Sequence, residues 1–386
     1  MQSITSRPFI CFSQRIFFIY AILLSGTLYA QREVNINNLR FIGLYQIPYA
    51  LQFKSTTVGG LSGIDYDAAN KHYYFISDDR SAINPARYYT ATITLSKKGI
   101  DGIRFTGVYH LLQPNGKAYP GSKQDPSNTP DPEAIRYNPM NEQLVWSSEG
   151  ERIVQPGDTI LGDPSITGIG LQGKYLHSYM LPPNLQMQSI EKGPRQNGVL
   201  EGMTFANQYK TLFINVEEPL YEDGPRADTV DKNAFIRILK YDVATRKNTQ
   251  QFAYKLDPVA YAPFPLNAFK LNGVPDILSI GNNKLLVVER SYSTGHLHCT
   301  IKLYIAQLNG ATDIKNISSL KTDGSFVPAT KKLLLNMDDL GIYIDNVEGV
   351  TFGPTLPNGH QTLVFVADNN FNPLAQSQLL LFEVIN

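Results

Sequence analysis

Short apolar segments rich in aromatic and β-branched residues recur along the chain, separated by turns that contain Asn, Gly and Pro. This pattern predicts β-strands joined as hairpins, and no helical period longer than two turns stands out. Five of the segments share one motif, in which a Ser or acidic residue follows a Pro or an apolar residue and precedes an apolar run. The five are Leu61–Tyr66, Pro132–Tyr137, Leu200–Phe205, Pro275–Ile280 and Val347–Phe352. Their spacing indicates one unit of about seventy residues that is repeated five times.

Each unit continues with further predicted strands. A second apolar run, such as Tyr73–Ser77 in the first unit, is followed in most units by two more. We predict these at 88–95 and 103–112 in the first unit, and at 235–243 and 250–256 in the third. Four antiparallel strands per repeat are typical of a propeller blade.

The last unit supplies only three strands, 347–352, 362–367 and 378–384. A candidate for its fourth strand lies at the other end of the chain, at 39–47, where pairing would close the ring and leave no open edge. We therefore predict an all-β fold, a single β-propeller domain over residues 31–386 with five blades of four antiparallel strands. A six-bladed ring is the alternative, because segments 113–131 and 153–172 are long enough to contain additional strands.

Acidic residues recur at two positions of the repeat. The start of the first strand carries Ser62, Glu133, Glu201, Asp276 and Glu348, and the end of the second carries Asp78, Glu149, Glu217, Glu289 and Asp368. The first strand of a blade lines the central channel, and the start of one strand of a hairpin lies beside the end of the next. We call these two sets the first and the second acidic column, and we expect both to converge at one mouth of the channel.

Clustered carboxylates need compensation, because two like charges ~4 Å apart repel by about 4 kcal/mol at an intermediate dielectric. Bound cations are one solution, and calcium suits a flexible cage of carboxylates better than magnesium. Neighbouring Asp79, Glu151 and Glu218 would add ligands, while Arg80, Arg136, Arg152 and Arg290 would neutralise the acids or receive an anion. In the structural alternative, the acids accept backbone N–H bonds or form salt bridges between blades without any ion.

Composition and local motifs bear on several other possible functions. The 386 residues include 34 Lys and Arg and 34 Asp and Glu, so the chain has no basic surplus for nucleic acid. Gly60-Leu61-Ser62-Gly63-Ile64 lacks the last glycine of a hydrolase nucleophile elbow, which makes Ser62 a weak candidate nucleophile. His296 and His298 alternate in a strand-like segment and are compatible with a metal pair or with two surface histidines.

The N-terminal segment predicts export. Arg7 and Arg15 precede an apolar stretch at 16–24, and Ser25–Ala30 provides a cleavage region before Gln31. We interpret residues 1–30 as a signal peptide and expect a secreted or periplasmic, monomeric protein without stable membrane insertion. Retention of the segment as a short anchor is the alternative. Cys299 is the one cysteine left after cleavage, which excludes an intrachain disulfide and a cysteine-based zinc site.

The set of motifs resembles the phytase-like domain family, which is described as having esterase-like activity of phytase. The resemblance covers roughly residues 40–386 and rests on Gly60–Ile64, Ile76–Arg80, Asp131–Ile135, Asn197–Gly202, Val288–Arg290 and Asn346–Val350. It implies an exported propeller that hydrolyses a small phosphorylated substrate with calcium. By this resemblance Glu133, Glu201, Glu217, Glu289 and Glu348 would hold metal, and Arg80 and Arg290 would face a phosphate. A noncatalytic propeller that binds a ligand or partner at the same mouth is the alternative.

Overall fold

The repeated apolar segments form the inner strands of five four-stranded antiparallel sheets in a computed structural model, which describes residues 33–96 and 99–386. The first twelve strands are β1 (Asn38–Ile47), β2 (Gln52–Phe53), β3 (Thr56–Thr57), β4 (Leu61–Asp67), β5 (His72–Ser77), β6 (Arg87–Ser96), β7 (Gly99–His110), β8 (Pro132–Asn138), β9 (Gln143–Ser148), β10 (Glu151–Gln155), β11 (Asp158–Gly162) and β12 (Ser165–Gly170). The following twelve are β13 (Tyr175–Ser178), β14 (Leu200–Ala206), β15 (Thr211–Val216), β16 (Phe235–Asp242), β17 (Lys247–Lys255), β18 (Lys270–Gly281), β19 (Lys284–Ser293), β20 (Thr300–Gln307), β21 (Thr330–Asn336), β22 (Asn346–Phe352), β23 (Thr362–Asp368) and β24 (Ser377–Ile385).

These strands build five blades. Blade one is β4–β7, blade three β14–β17 and blade four β18–β21; blade two is β8, β9, β12 and β13, with the hairpin β10–β11 inserted. Blade five is β22–β24 with β1 at its outer edge. The inner strands β4, β8, β14, β18 and β22 contact one another in this order, and β22 returns to β4. The five-bladed prediction is confirmed, and the six-bladed alternative is wrong because segment 153–172 holds the inserted hairpin and a strand of blade two.

Strand β1 closes the ring by pairing antiparallel with β24. The register runs from Asn38 opposite Ile385 to Ile47 opposite Ser377, with a bulge between Phe41 and Gly43. The N-terminal strand predicted at 39–47 thus takes the predicted position. In addition, Arg40 of β1 forms an ion pair with the buried carboxylate of Glu383 in β24.

Apolar side chains fill each of the five spaces between neighbouring blades. Phe75 and Val364 lie in the cluster between blades one and five, and Trp146 and Tyr88 in the one between blades one and two. Similar clusters occupy the other three spaces. Removal of this apolar surface from water is the main favourable contribution to the stability of the ring.

A single guanidinium group connects all five blades at the axis. Arg136 of blade two donates to the carbonyl oxygens of Ile64 in blade one, Met203 in blade three and Val350 in blade five. Its Nη2 atom lies 2.8 and 2.7 Å from the two carboxylate oxygens of Asp276 in blade four. This buried pair lies among the five inner strands and joins them across the axis.

Helical structure in the described ranges consists of the short 3-10 turns Pro183–Leu185, Tyr221–Asp223 and Met337–Leu340. No helix in these ranges has the length and apolar character needed to cross a lipid bilayer. The predicted signal peptide, residues 1–30, lies outside the described residues. Cys299 is a buried free thiol.

Candidate metal centre

A β-bulge interrupts each inner strand near its start. In blades one, two, three and five the bulges lie at Ser62, Glu133, Glu201 and Glu348. A bulge turns the side chain of the extra residue away from the regular alternation of the strand. Three of these four positions are glutamates, and their side chains reach the channel mouth.

Acids at the ends of the second strands lie next to these bulges. The backbone N–H groups of Asp78, Glu149 and Glu217 donate to the carbonyls of Gly60, Asp131 and Val199, the residues just before the inner strands. Asp368 ends β23 and lies opposite Asn346 in the register with β22. The second set of acids therefore lies at the same mouth as the first.

Eight carboxylates gather at this opening, which we name the acid mouth. They are Asp78, Asp131, Glu133, Glu149, Glu201, Glu217, Glu348 and Asp368. Within the group, ligand oxygens of Asp131, Glu133 and Glu149 all lie within 4.8 Å of one another. Seven of the nine predicted metal ligands are brought together here.

Asp131 was not among the predicted ligands. It lies one residue before β8, outside both repeated columns, and its side chain completes the group of three with Glu133 and Glu149. Its signal was present in the Asp131-Pro132-Glu133 motif, where two acids flank a proline at the start of an inner strand.

Burial and mutual repulsion raise the pKa values of the acid mouth. Burial, partly offset by Arg80, raises the pKa of Asp131 to about 7, and burial together with Asp131 and Glu217 raises the pKa of Glu149 to about 8. The pKa values of Glu133 and Glu201 are raised well above the ordinary range by burial and then by neighbouring acids. Loss of water favours the neutral carboxyl, so the uncompensated cluster holds protons near neutral pH.

Two arginines bring positive charge to the acid mouth. Arg290 donates to Glu217 at 2.5 Å, to Glu348 and to Asn346 at 2.5 Å. Arg80 lies 2.6 Å from Glu151 and 3.7 Å from Asp131, and about a quarter of its side chain is exposed. Eight carboxylates against two guanidinium groups leave a large negative excess when all are ionised.

The acids that flank the second column already have their own partners. Asp79 pairs with Arg87 at 2.7 Å, and Glu218 pairs with Arg226 at 2.6 Å. Glu151 is held by Arg80. The structural alternative therefore describes these residues. It also describes three acids of the mouth, because Glu149 accepts the N–H of Val199 and Arg290 pairs with Glu217 and Glu348.

Two predicted ligands, Asp276 and Glu289, lie elsewhere because the bulge of blade four falls between Gly273 and Asp276. Asp276 consequently matches Ile64 and Met203 of the other blades and lies two residues beyond the acidic position. It pairs with Arg136 on the axis.

Glu289 is also displaced by two residues, since Ser291 occupies the position equivalent to the second column. Its carboxylate accepts hydrogen bonds from Tyr254 at 2.7 Å and Asn272 at 2.8 Å, and pairs with Lys331 at 2.5 Å. Asp276 thus forms a salt bridge between blades, and Glu289 forms one within blade four. The prediction that they join the mouth is wrong.

The two histidines considered as a metal pair, His296 and His298, have different surroundings. His296 stacks on Tyr261 with ring centroids 4.8 Å apart, and its Nε2 atom lies 3.2 Å from the carbonyl of Ala262. His298 is exposed.

The acid mouth fits a hard divalent cation. Its donors are carboxylate oxygens, which calcium prefers. The Oδ1 atom of Asp368 is buried and has no hydrogen-bond partner, although an unpaired buried oxygen is costly. A cation at this opening would satisfy that oxygen and offset the charge excess that otherwise raises the pKa values.

Residues 56–371 match a protein family described as phytase-like, with esterase-like activity of phytase. A comparison with curated proteins gave no match. Similar solved structures include an exo-β-1,3-galactanase from Phanerochaete chrysosporium, with 12% identity and a TM-score of 0.45 over 90% of this chain and 64% of that chain. The chain thus spans less than two thirds of the galactanase.

Two further similar structures match over most of both chains. An endo-arabinase from Bacteroides thetaiotaomicron has 10% identity and a TM-score of 0.41, covering 88% of this chain and 98% of that chain. A gluconolactonase from Xanthomonas campestris has 11% identity and a TM-score of 0.36, covering 91% and 96%.

Proposed function

Because the chain belongs to the phytase-like family, we propose that it is an exported, calcium-dependent phosphoric-ester hydrolase that acts at the acid mouth. The observation that carries this proposal is the group of eight carboxylates with only two guanidinium groups at one end of the channel. A small phosphorylated substrate is an anion, and it cannot approach such a group unless cations reverse the local charge.

The metal ligands in this proposal are the acids that the mouth brings together. Asp131, Glu133 and Glu149 form the first candidate set, because their oxygens lie within 4.8 Å of one another. Asp78 and Asp368 form a second, since burial and then the charge of Asp368 raise the pKa of Asp78. Calcium held by these residues would polarise the phosphoryl group and lower the pKa of a water molecule.

The arginines position the anion and the acids around it. Arg80 has the more exposed side chain, and its guanidinium group is the better placed to meet a phosphate arriving from solvent. Arg290 of blade four fixes Glu217 of blade three and Glu348 of blade five, and its buried Nε–H, which has no partner, leaves one donor for a substrate oxygen. Holding the phosphate in a fixed orientation lowers the activation barrier, because less entropy is lost in reaching the transition state.

Hydrolysis of p-nitrophenyl phosphate by the full chain tests the proposal. Exhaustive treatment with EDTA should abolish turnover, and calcium should restore it more completely than magnesium does. Full activity after exhaustive chelation would rule out metal dependence. Glu201→Gln should remove activity with little change in melting temperature, because the substitution keeps the size of a side chain that faces the mouth.

A noncatalytic propeller is the second candidate, and the bonds of Arg290 favour it. Both terminal nitrogens of its guanidinium group are engaged by Glu217, Glu348 and Asn346, as in a structural salt bridge. In that case no phosphomonoester is hydrolysed with or without calcium, and Glu201→Gln mainly lowers the melting temperature.

Export and oligomeric state have separate tests. We propose cleavage before Gln31 and a monomer in the periplasm or medium. N-terminal sequencing of the exported protein should begin at Gln31, whereas retention of Met1 would indicate a membrane anchor. Size-exclusion chromatography with light scattering should give the mass of one chain.

A further inference from the structure

The channel has a second opening, opposite the acid mouth, that widens into a cavity of about 1040 Å³. The inner strands run from the acid mouth towards this end, and all five contribute their last residues and the following turns to its lining. Its volume lies at the upper end of the range for small-molecule sites. We name it the distal cavity.

The distal cavity is separate from the acid mouth. None of the eight carboxylates lines it. The buried pair of Arg136 and Asp276 lies between the two sites, and the guanidinium group also binds carbonyls from blades one, three and five. What binds there has to be inferred from the residues of the cavity itself.

Polar groups lie at the inner end of the distal cavity. Asp65 accepts hydrogen bonds from the backbone N–H of Tyr137 at 2.7 Å and from the hydroxyl of Thr351 at 3.0 Å. Thr204, also buried, accepts from the N–H of Ser279 at 2.9 Å. A carboxylate has about four acceptor sites, so Asp65 keeps capacity for hydroxyl donors of a ligand.

Aromatic rings form part of the walls. Tyr66, Tyr209 and Phe352 are partly exposed and line the distal cavity, and Tyr209 packs against the buried ring of Phe205 with centroids 5.5 Å apart. Such rings offer apolar faces to the C–H groups of a ligand. The cavity thus combines hydrogen-bonding groups at its inner end with apolar faces along its sides.

The fixed charges of the distal cavity are largely paired. Arg136 is neutralised by Asp276. Asp67 is occupied by the turn that follows it, where it accepts from Ala69 and Asn70. Burial raises the pKa of Asp65, and the neighbouring charge of Arg136 opposes that rise. Lys71 and Lys210 lie near the opening, where water screens them.

We propose that the distal cavity binds an uncharged sugar or short oligosaccharide. Ring hydroxyls would pair with Asp65 and the buried threonines, and the C–H faces of the sugar would stack on the aromatic walls. Hydroxyls and apolar faces alternate in a sugar as they do in this lining. The proposal concerns a different site from the proposed hydrolysis and does not depend on it.

Isothermal titration calorimetry of the full chain with glucose, maltotriose, cellotriose and xylotriose tests this inference. At least one of these probes should bind saturably with one site per chain. Lys210→Trp places a bulky ring at the opening from an exposed position and should weaken binding at least tenfold, as should Tyr66→Ala in the wall. Lys321→Trp, on an exposed loop outside the cavity, is the matched control and should change affinity less than twofold.

Three results would overturn the inference. The first is that none of the four sugars binds. The second is that the Lys210→Trp variant binds the sugar as tightly as the unmodified chain does. The third is that glucose 6-phosphate binds more tightly than glucose. The last outcome would make the two lysines an anion site. Melting temperatures of the variants distinguish a blocked cavity from a misfolded chain, because Lys210→Trp should keep the value of the control.

Discussion

The Nη2 atom of Arg136 lies 2.8 and 2.7 Å from the two carboxylate oxygens of Asp276, and this buried pair joins blades two and four across the axis of the propeller. The same side chain donates to carbonyls of the three remaining blades. One arginine therefore bonds to polar groups of the four other blades at the axis.

Arg136→Met should lower the free energy of unfolding by about 3 to 5 kcal/mol, because it leaves Asp276 as a buried charge without a partner. Urea unfolding measures the change. The double variant Arg136→Met with Asp276→Leu should be more stable than Arg136→Met alone, since it removes the orphaned charge as well. A double variant no more stable than the single one would contradict this role for the pair.

Glu133→Gln should reduce the calcium-induced rise in melting temperature and weaken calcium binding at least tenfold, because it removes one of three clustered carboxylates. Thermal unfolding across a calcium titration gives both values. The matched control is Glu289→Gln, whose carboxylate pairs with Lys331 of the same blade, away from the acid mouth. This control should lose stability but keep the calcium response, and equal responses in both variants would place the ion elsewhere.

Gly60→Ala should disturb the acid mouth through its backbone. Gly60 has a φ of +58°, and a Cβ atom there would lie 2.0 Å from Oδ1 of Asp78. We expect a loss of stability above about 1 kcal/mol and weaker calcium binding, measured by urea unfolding and calorimetry. Gly116→Ala, at a φ of +79° with nothing near the added atom, should cost about 1 kcal/mol and leave calcium affinity unchanged.

The calcium-free protein should become less stable as the pH rises from 5 to 8. Carboxyl groups of the unfolded chain titrate near pH 4, whereas in the folded chain burial raises the pKa of Asp131 to about 7 and that of Glu149 to about 8. The folded state thus binds more protons in this interval, and the free energy of unfolding falls with pH by at least about 2 kcal/mol.

Urea unfolding in EDTA at several pH values checks this slope. Saturating calcium should flatten it, because the cation favours the ionised carboxylates. Asp257, whose pKa its lysine and tyrosine partners lower to about 2 against the effect of burial, loses its contribution only below pH 4 and does not mask the effect. Stability that rises with pH in EDTA would show that the acids are already compensated.

The repeat alone predicted the blades, the closing strand and most of the acid mouth, because hydrophobic periodicity and acidic positions recur in the sequence. The prediction failed in blade four. The bulge between Gly273 and Asp276 carries no acid there, so the repeat was matched to the nearest carboxylate, that of Asp276. The register of a bulge depends on pairing between strands, which spacing does not record.

The partners of buried charged residues also could not be predicted from the sequence. Nothing near Arg136 in the chain indicates that it binds Asp276, 140 residues away, instead of an anion at the mouth. Likewise, Asp131 belongs to neither acidic column and enters the cluster only through the fold.

The pairing of β1 with β24 has a consequence for biosynthesis. The outer strand of blade five, Asn38–Ile47, is synthesised before the other strands of the ring, and its partner, Ser377–Ile385, after them. The ring can therefore close only once all five blades have been synthesised, and until then β1 lacks its partner strand.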